Sequence, residues 1–89
     1  MDFKQGGDRI YLENERGETI AEITFHPRAD GAMVIDHTFV DDSLRGQGVA
    51  GKLVKAAADR LRAEGRTIAA TCSYAKTWFQ QHPEEGPTV

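Results

Sequence analysis

Cysteine is nearly absent from this chain: Cys72 is the single one among 89 residues. An internal disulfide is therefore excluded, and the apolar core must supply the stability. Proteins without disulfides are typical of reducing compartments, so we expect a cytoplasmic location. No apolar run approaches the roughly 20 residues that cross a bilayer, and the opening MDFK lacks the basic and apolar regions of a secretion signal. We expect neither export nor membrane insertion.

An excess of positive charge is also lacking. Eleven Lys and Arg stand against fourteen Asp and Glu, a formal net charge of -3, which gives no broad attraction for nucleic acid or an anionic membrane. The three histidines and the cysteine show no paired ligand spacing, so no metal site is predicted. A chain of 89 residues, 39% apolar, has the size and composition of one soluble domain spanning residues 1–89.

The first half of the chain has the period-2 pattern of β-strands. Arg9–Glu13 predicts a short strand, and the following Asn14–Gly17 has the residues of a reversing turn. A second strand covers 18–26, where Ala21, Ile23 and Phe25 alternate with polar residues. A third covers 32–40. Strict alternation divides this third strand into one face with Met33, Ile35, His37 and Phe39 and another with Val34, Asp36, Thr38 and Val40.

The second half changes to a helical period. Apolar residues recur every three or four positions between Val49 and Leu61, and Gly65 stands where a left-handed helix cap is expected. Residues 67–72 suit a covered strand, and 74–81 suit a short helix that stops before Pro83, followed by a loose tail over 84–87. The predicted class is α+β: a mostly antiparallel sheet of about four strands, a central helix and a short C-terminal helix.

The central helix is preceded by a glycine loop, Arg45-Gly46-Gln47-Gly48. Such a loop directs several backbone N–H groups to one point beside the positive end of a helix dipole, so it favours an anion. Neither the Walker sequence nor the dinucleotide fingerprint is present, since no Gly-Lys-Ser/Thr follows and the glycine spacing differs. The alternative is that the glycines only shape the turn into the helix.

The segment 40–50 resembles the GNAT acetyltransferase superfamily, whose acyl-CoA loop Gln/Arg-x-x-Gly-x-Gly/Ala is matched by Arg45, Gly48 and Ala50. The short chain, the pair His37-Thr38, Cys72 with Tyr74, and the segment 78–84 are similar to its small GNAT-like N-acetyltransferase subgroup. Two departures are visible. Ser73 stands where the subgroup has proline, and the amino end has no residues for the paired helices that wall the acceptor pocket in larger members.

The resemblance implies acetyl-CoA as co-substrate and a minimal GNAT-type fold. It places backbone groups that hold the pantetheine arm and the acetyl carbonyl at Phe39 and Val40. It also assigns the pyrophosphate to the loop and helix start, namely Arg45, Gly46, Gln47, Gly48, Val49 and Ala50.

Three side chains are candidates for the chemistry. Three roles are open for Cys72: a nucleophile, a bystander beside the CoA sulfur, or a small core residue. The bystander is favoured, because direct transfer of the acetyl group to the amine needs no protein thiol. Tyr74 matches the type of residue that protonates the leaving thiolate in the superfamily, with packing against the helix as the alternative. His37 has apolar neighbours on its predicted face, so a hydrogen-bonded core histidine is expected, with a general-base role as the alternative.

These features favour an acetyl-CoA-dependent N-acetyltransferase that acts on an amine, either a small molecule or a protein lysine. The alternative is a non-catalytic module that binds CoA or acyl-CoA. A purely structural or protein-interaction domain is disfavoured because it leaves the glycine loop unexplained.

Overall fold

A computed structural model describes residues 2–85 of the chain. Five strands form one sheet in the order β1-β2-β3-β4-β5, with β1 at Lys4–Gln5, β2 at Arg9–Glu13, β3 at Thr19–Pro27, β4 at Met33–Val40 and β5 at Ile68–Ala70. Helix α1 spans Val49–Ala63 and α2 spans Ser73–Gln81, and short 3-10 turns cover Asp42–Leu44 and Pro83–Glu85. The predicted α+β class is confirmed, and the sheet has one more short strand, β1, than expected.

The strands pair antiparallel except at the last step. β1 through β4 form a meander, while β4 and β5 run parallel because α1 carries the chain from the end of one strand to the start of the other. Glycine at position 65 has a φ of 72°, so α1 ends in the left-handed cap that the sequence predicts.

The main core lies between one face of the sheet and the two helices. Ile10, Ile23, Phe25 and Ile35 from the strands meet Leu53 and Leu61 of α1, all at most 2% exposed. Trp78 and Phe79 of α2 join the same cluster. On the opposite face, the buried residues among 2–85 form a small cluster of Ala32, Val34 and Ala69, to which neither helix contributes.

A β-bulge interrupts β4. The predicted faces of this strand are therefore wrong beyond the bulge. Thr24 pairs with His37 but Phe25 pairs with Ile35, so Asp36 is an extra residue that has no partner in β3. The inward residues therefore change from Met33 and Ile35 before the bulge to the even-numbered ones after it.

His37 and Phe39 lie on the face away from the helices as a result. His37 is exposed and Phe39 is 40% exposed, whereas Val40 packs against the core. The prediction of a core histidine at position 37 was wrong, because a single extra residue reverses the alternation.

The prediction of a loose tail was also wrong for Glu85. Its carboxylate accepts hydrogen bonds from Lys55 Nζ at 2.9 Å and Arg62 Nη2 at 2.7 Å, and its backbone carbonyl accepts from Arg62 Nη1 at 2.6 Å. These bonds attach the end of the described chain to the exposed face of α1 and lower the pKa of Glu85. Residues 86 and 87 of the predicted tail lie outside the described residues.

Candidate active site

Strands β4 and β5 separate at the carboxyl end of β5. Their ladder ends with the pair Ile35 and Ala70. The carbonyl oxygen of Ile35 then accepts from the N–H groups of both Thr71, at 3.0 Å, and Cys72, at 3.2 Å, and the chain turns into α2. Beyond this point β4 is paired with β3 alone, which opens a fork beside residues 36–40.

The backbone of β4 offers hydrogen-bonding groups to this fork. Asp41 N–H donates to Ile20 O at 2.8 Å, so in the antiparallel ladder the groups of Phe39 and His37 also point to β3. The groups of Thr38 and Val40 consequently point away from β3, to the fork. Of the two residues predicted to hold the pantetheine arm, Val40 has its backbone groups at the fork, whereas Phe39 contributes only its side chain to the opposite face.

The glycine loop follows β4 and the 3-10 turn directly. Gly46 has a φ of 83° and Gly48, the N-cap of α1, has a φ of 67°, a region that other residues rarely adopt. The first intrahelical hydrogen bond runs from Lys52 N to Gly48 O at 3.2 Å. Within the described part of the chain, the N–H groups of Val49, Ala50 and Gly51 have no acceptor, as is usual for the first turn of a helix.

The electrostatics of the loop suit an anion. The first turn of α1 contains no acidic residue, so the positive end of the helix dipole is not neutralised there. Arg45 is bonded to Asp42 at 3.0 Å, but its side chain is 80% exposed and free to turn to a ligand. Gln47 is exposed, and its N–H donates to Leu44 O at 3.3 Å.

Helix α2 packs against the first turn of α1 at Gly51. A Cβ atom on Gly51 would lie 3.4 Å from Trp78 Nε1 and 3.5 Å from the Tyr74 hydroxyl oxygen. The Tyr74 ring is 44% exposed while its hydroxyl lies beside the helix start. The sequence analysis did not single out Gly51, although the spacing Gly46-x-Gly48-x-x-Gly51 was a usable signal.

Cys72 is the N-cap of α2 and borders the fork. Its Sγ lies 3.6 Å from Thr38 Oγ1. Burial alone would raise the pKa of the thiol, but the N–H groups of Ala75 and Tyr74 at the helix start and the Thr38 hydroxyl together lower it. The first-turn N–H groups do not come close enough for a full capping hydrogen bond with the sulfur.

The fold thus collects most of the predicted site residues around one opening. Cys72, Tyr74 and the backbone of Val40 border the fork or the helix start beside it, and the segment 45–50 forms the loop and first residues of that helix start. His37 lies on the exposed sheet face instead. Thr38, which touches Cys72, lies on the core side, whereas strict alternation placed it with Asp36 on the opposite face, within reach of an acceptor amine.

A hollow of about 340 Å³ lies elsewhere, between the β2–β3 turn and the 3-10 turn before the loop. Its lining includes two carboxylates, which disfavour a phosphate. One of these, Asp41, accepts hydrogen bonds from the Ser43 hydroxyl and N–H, and these bonds lower its pKa. The lining residues are Asn14, Glu18, Thr19, Ile20, Asp41 and Ser43.

Over the described residues, no helix is long and apolar enough to cross a membrane. In the same part of the chain, no group of three His, Cys, Asp or Glu side chains is placed to hold a metal ion.

Comparisons with known proteins agree with this geometry. The family model described as GCN5-related N-acetyl-transferase matches residues 9–87. A GCN5-like protein of Staphylococcus aureus, solved by NMR, is 36% identical with a TM-score of 0.77, over 94% of this chain and 82% of the other. No protein of curated function is similar enough in sequence to be matched.

Larger acetyltransferases share the fold. An acetyltransferase of Bacillus cereus is 20% identical with a TM-score of 0.61, over 78% of this chain and 54% of the other. Ribosomal-protein-alanine N-acetyltransferase of Brucella melitensis is 19% identical with a TM-score of 0.58, over 83% of this chain and 62% of the other. The present chain therefore spans little more than half of these two proteins.

Proposed function

Because the chain belongs to the GCN5-related N-acetyltransferase family, we propose that it transfers the acetyl group of acetyl-CoA to an amine. The observation that supports this most is the fork between β4 and β5, which runs from Cys72 to the glycine loop. Acetyl-CoA with its thioester in this fork would present its phosphates to the free N–H groups at the start of α1. We place the reaction in the cytoplasm, as the single cysteine suggests.

Each chemical requirement of the reaction has a group in this opening. The N–H groups of Val49, Ala50 and Gly51 bind the pyrophosphate, and Arg45 turns from Asp42 to add charge. The N–H groups of Thr38 and Val40 hold the pantetheine arm and polarise the acetyl carbonyl as negative charge develops on its oxygen.

The amine attacks the thioester carbon, a C–N bond forms and the C–S bond breaks. Tyr74, at the start of α2, donates a proton to the departing thiolate. A thiol and an amide result, and the acceptor is either a small amine or a protein lysine.

A second candidate is a CoA-binding module without turnover. It is favoured by the open sheet face, where Phe39 is 40% exposed and the described residues supply no helix as a wall for an acceptor.

Titration with CoA tests the proposed site. We expect the amide resonances of residues 46–51 to shift most, because their N–H groups would contact the phosphates. Shifts centred instead on the acidic hollow around Glu18 and Asp41 would contradict the assignment.

Release of CoA thiol from acetyl-CoA separates the two candidate functions. An acetyltransferase releases thiol at a rate that rises with the concentration of an added amine, such as a lysine-containing peptide. A binding module holds CoA and gives only the background rate.

Replacement of Cys72 by alanine tests the role of the thiol. We expect turnover to stay within about threefold of the wild type and stability to fall by about 1 kcal/mol, because direct transfer needs no protein thiol and the lost volume is small. Mass spectrometry of the wild-type protein after brief exposure to acetyl-CoA provides the independent check. Stoichiometric acetylation of Cys72 that an amine then removes would show a covalent route and overturn this expectation.

A further inference from the structure

At the bulge in β4, the Asp36 carboxylate lies on the exposed sheet face, where two side chains of β3 bind it. Thr24 Oγ1 donates to Asp36 Oδ1 at 2.5 Å, and His26 Nδ1 lies 2.7 Å from Asp36 Oδ2. Both oxygens of the carboxylate are therefore engaged. Because of the extra residue, Asp36 and the next residue, His37, lie on the same exposed face.

This arrangement fixes the tautomer of the neutral imidazole. An ionised carboxylate only accepts, so Nδ1 carries the proton and Nε2 of the neutral ring keeps its lone pair. Hydrogen bonds from Thr24 and His26 offset the partial burial of Asp36, which by itself would raise its pKa, and the net effect is a lowered pKa. The imidazole is 54% exposed, and Nε2 has no hydrogen-bond partner among residues 2–85.

The pair of His26 and Asp36 lies beside the fork. Asp36 directly follows Ile35, whose carbonyl marks the point where β4 and β5 separate. Neighbouring strands are about 5 Å apart, so the His26 ring lies within about one strand spacing of the backbone that borders the fork. On the helix side of the fork, Val40 and Cys72 pack against the core, so an acceptor amine would approach from the face that carries His26.

We propose that His26 is the general base that deprotonates the acceptor amine and that Asp36, with Thr24, is its positioning partner. The inference rests on the proposed acetyl transfer. Nε2 takes one proton from the ammonium group and passes it to water, and the neutral amine attacks the thioester. The second amine proton ends on the CoA sulfur through Tyr74, so the products are the amide, the free thiol and one released proton.

Other charged groups around His26 are compatible with this role. Glu22 on the same face is bonded to Arg9 of β2 at 2.6 Å, and Arg28 is bonded to Asp30 in the following turn. Asp8, in the segment before β2, and His37, on β4, are exposed. The His37 imidazole has no hydrogen-bond partner among residues 2–85, whereas the His26 imidazole has Asp36 to fix its tautomer.

The decisive experiment is the pH dependence of kcat/KM for thiol release with a lysine-containing peptide. We expect His26→Gln to lower kcat/KM at neutral pH by about 100-fold or more and to remove the acid limb of the pH profile, while CoA binding is retained. Asp36→Asn should lower kcat/KM by about tenfold. Asp30→Asn is the matched control, because Asp30 also pairs with a cation, Arg28, in the same hairpin but lies away from the fork.

A second readout does not require turnover. Imidazole ¹⁵N shifts report the tautomer, and we expect His26 to be the Nδ1-protonated form in the wild type and in Asp30→Asn but a mixture in Asp36→Asn. An unchanged acid limb in His26→Gln, or loss of that limb in His37→Gln alone, would overturn the proposal. A wild-type protein that binds CoA but releases no thiol refutes the proposed acetyl transfer and this inference with it, whereas an active His26→Gln variant refutes only the inference.

Discussion

Gly48→Val raises the Kd of CoA by about 100-fold or more, the largest effect on ligand binding that we expect from one substitution. A φ of 67° is strained for a β-branched residue, and a Cβ atom at this position meets no protein atom within 4 Å. Under the proposed function, a phosphate approaches the N–H groups through this open space, and a valine side chain would block it. Loss of two charge-assisted hydrogen bonds, each worth about 1.5–3 kcal/mol, accounts for the expected change in Kd.

Gly65→Val is the matched control. This glycine lies at the opposite end of the same helix, has a φ of 72° and likewise has no atom within 4 Å of its Cβ position. Both variants should lose about 1–3 kcal/mol of unfolding free energy through backbone strain. Isothermal titration with CoA and chemical denaturation measure the two effects separately. Equal affinities of the two variants would show that the glycine loop only shapes the start of α1.

Trp78→Ala lowers the unfolding free energy by about 3–5 kcal/mol, the largest stability loss that we expect. Trp78 is 9% exposed, packs edge-to-face on Phe79 with ring centroids 5.2 Å apart and stacks on His82 at 4.1 Å. Its indole also lies beside Gly51 in the first turn of α1, where an added Cβ atom would be 3.4 Å from Nε1, so its removal leaves a cavity between the helices. For a domain of this size, the thermal midpoint should fall by at least about 12 °C.

Tyr74→Ala provides the comparison, since it removes an aromatic ring one turn earlier on the same helix. Its ring is 44% exposed, so the loss should not exceed about 1 kcal/mol. Thermal denaturation followed by circular dichroism gives both values. A loss for Trp78→Ala no greater than that for Tyr74→Ala would mean that α2 does not depend on Trp78 for its packing against α1.

Local sequence patterns predicted only part of the candidate site. The glycine loop was selected from sequence because its proposed function depends on consecutive backbone groups, and the positive φ values of Gly46 and Gly48 explain why glycine stands at these positions. Cys72 and Tyr74 were placed near it by resemblance. His26 and Thr24 were not selected, because no spacing within β3 indicates that a carboxylate from β4 will reach them.

The sequence by itself determined the elements whose signals are local. The alternation of Ala21, Ile23 and Phe25 marked β3, the three- and four-residue spacing marked α1, and Gly65 marked the end of that helix. Strand β1 was missed because two residues carry no periodicity, and their pairing with Ile10 and Tyr11 alone makes them a strand.

Only the tertiary structure decided where the faces of β4 change and where the sheet opens. The bulge at Asp36 depends on how β4 pairs with a separate strand, and neither a glycine nor a proline at this point indicates it. The fork depends on β5 ending after three residues, when Ile35 O accepts two N–H groups at once. Both features arise from hydrogen bonds between residues distant in sequence, and a local periodicity contains no information about such pairing.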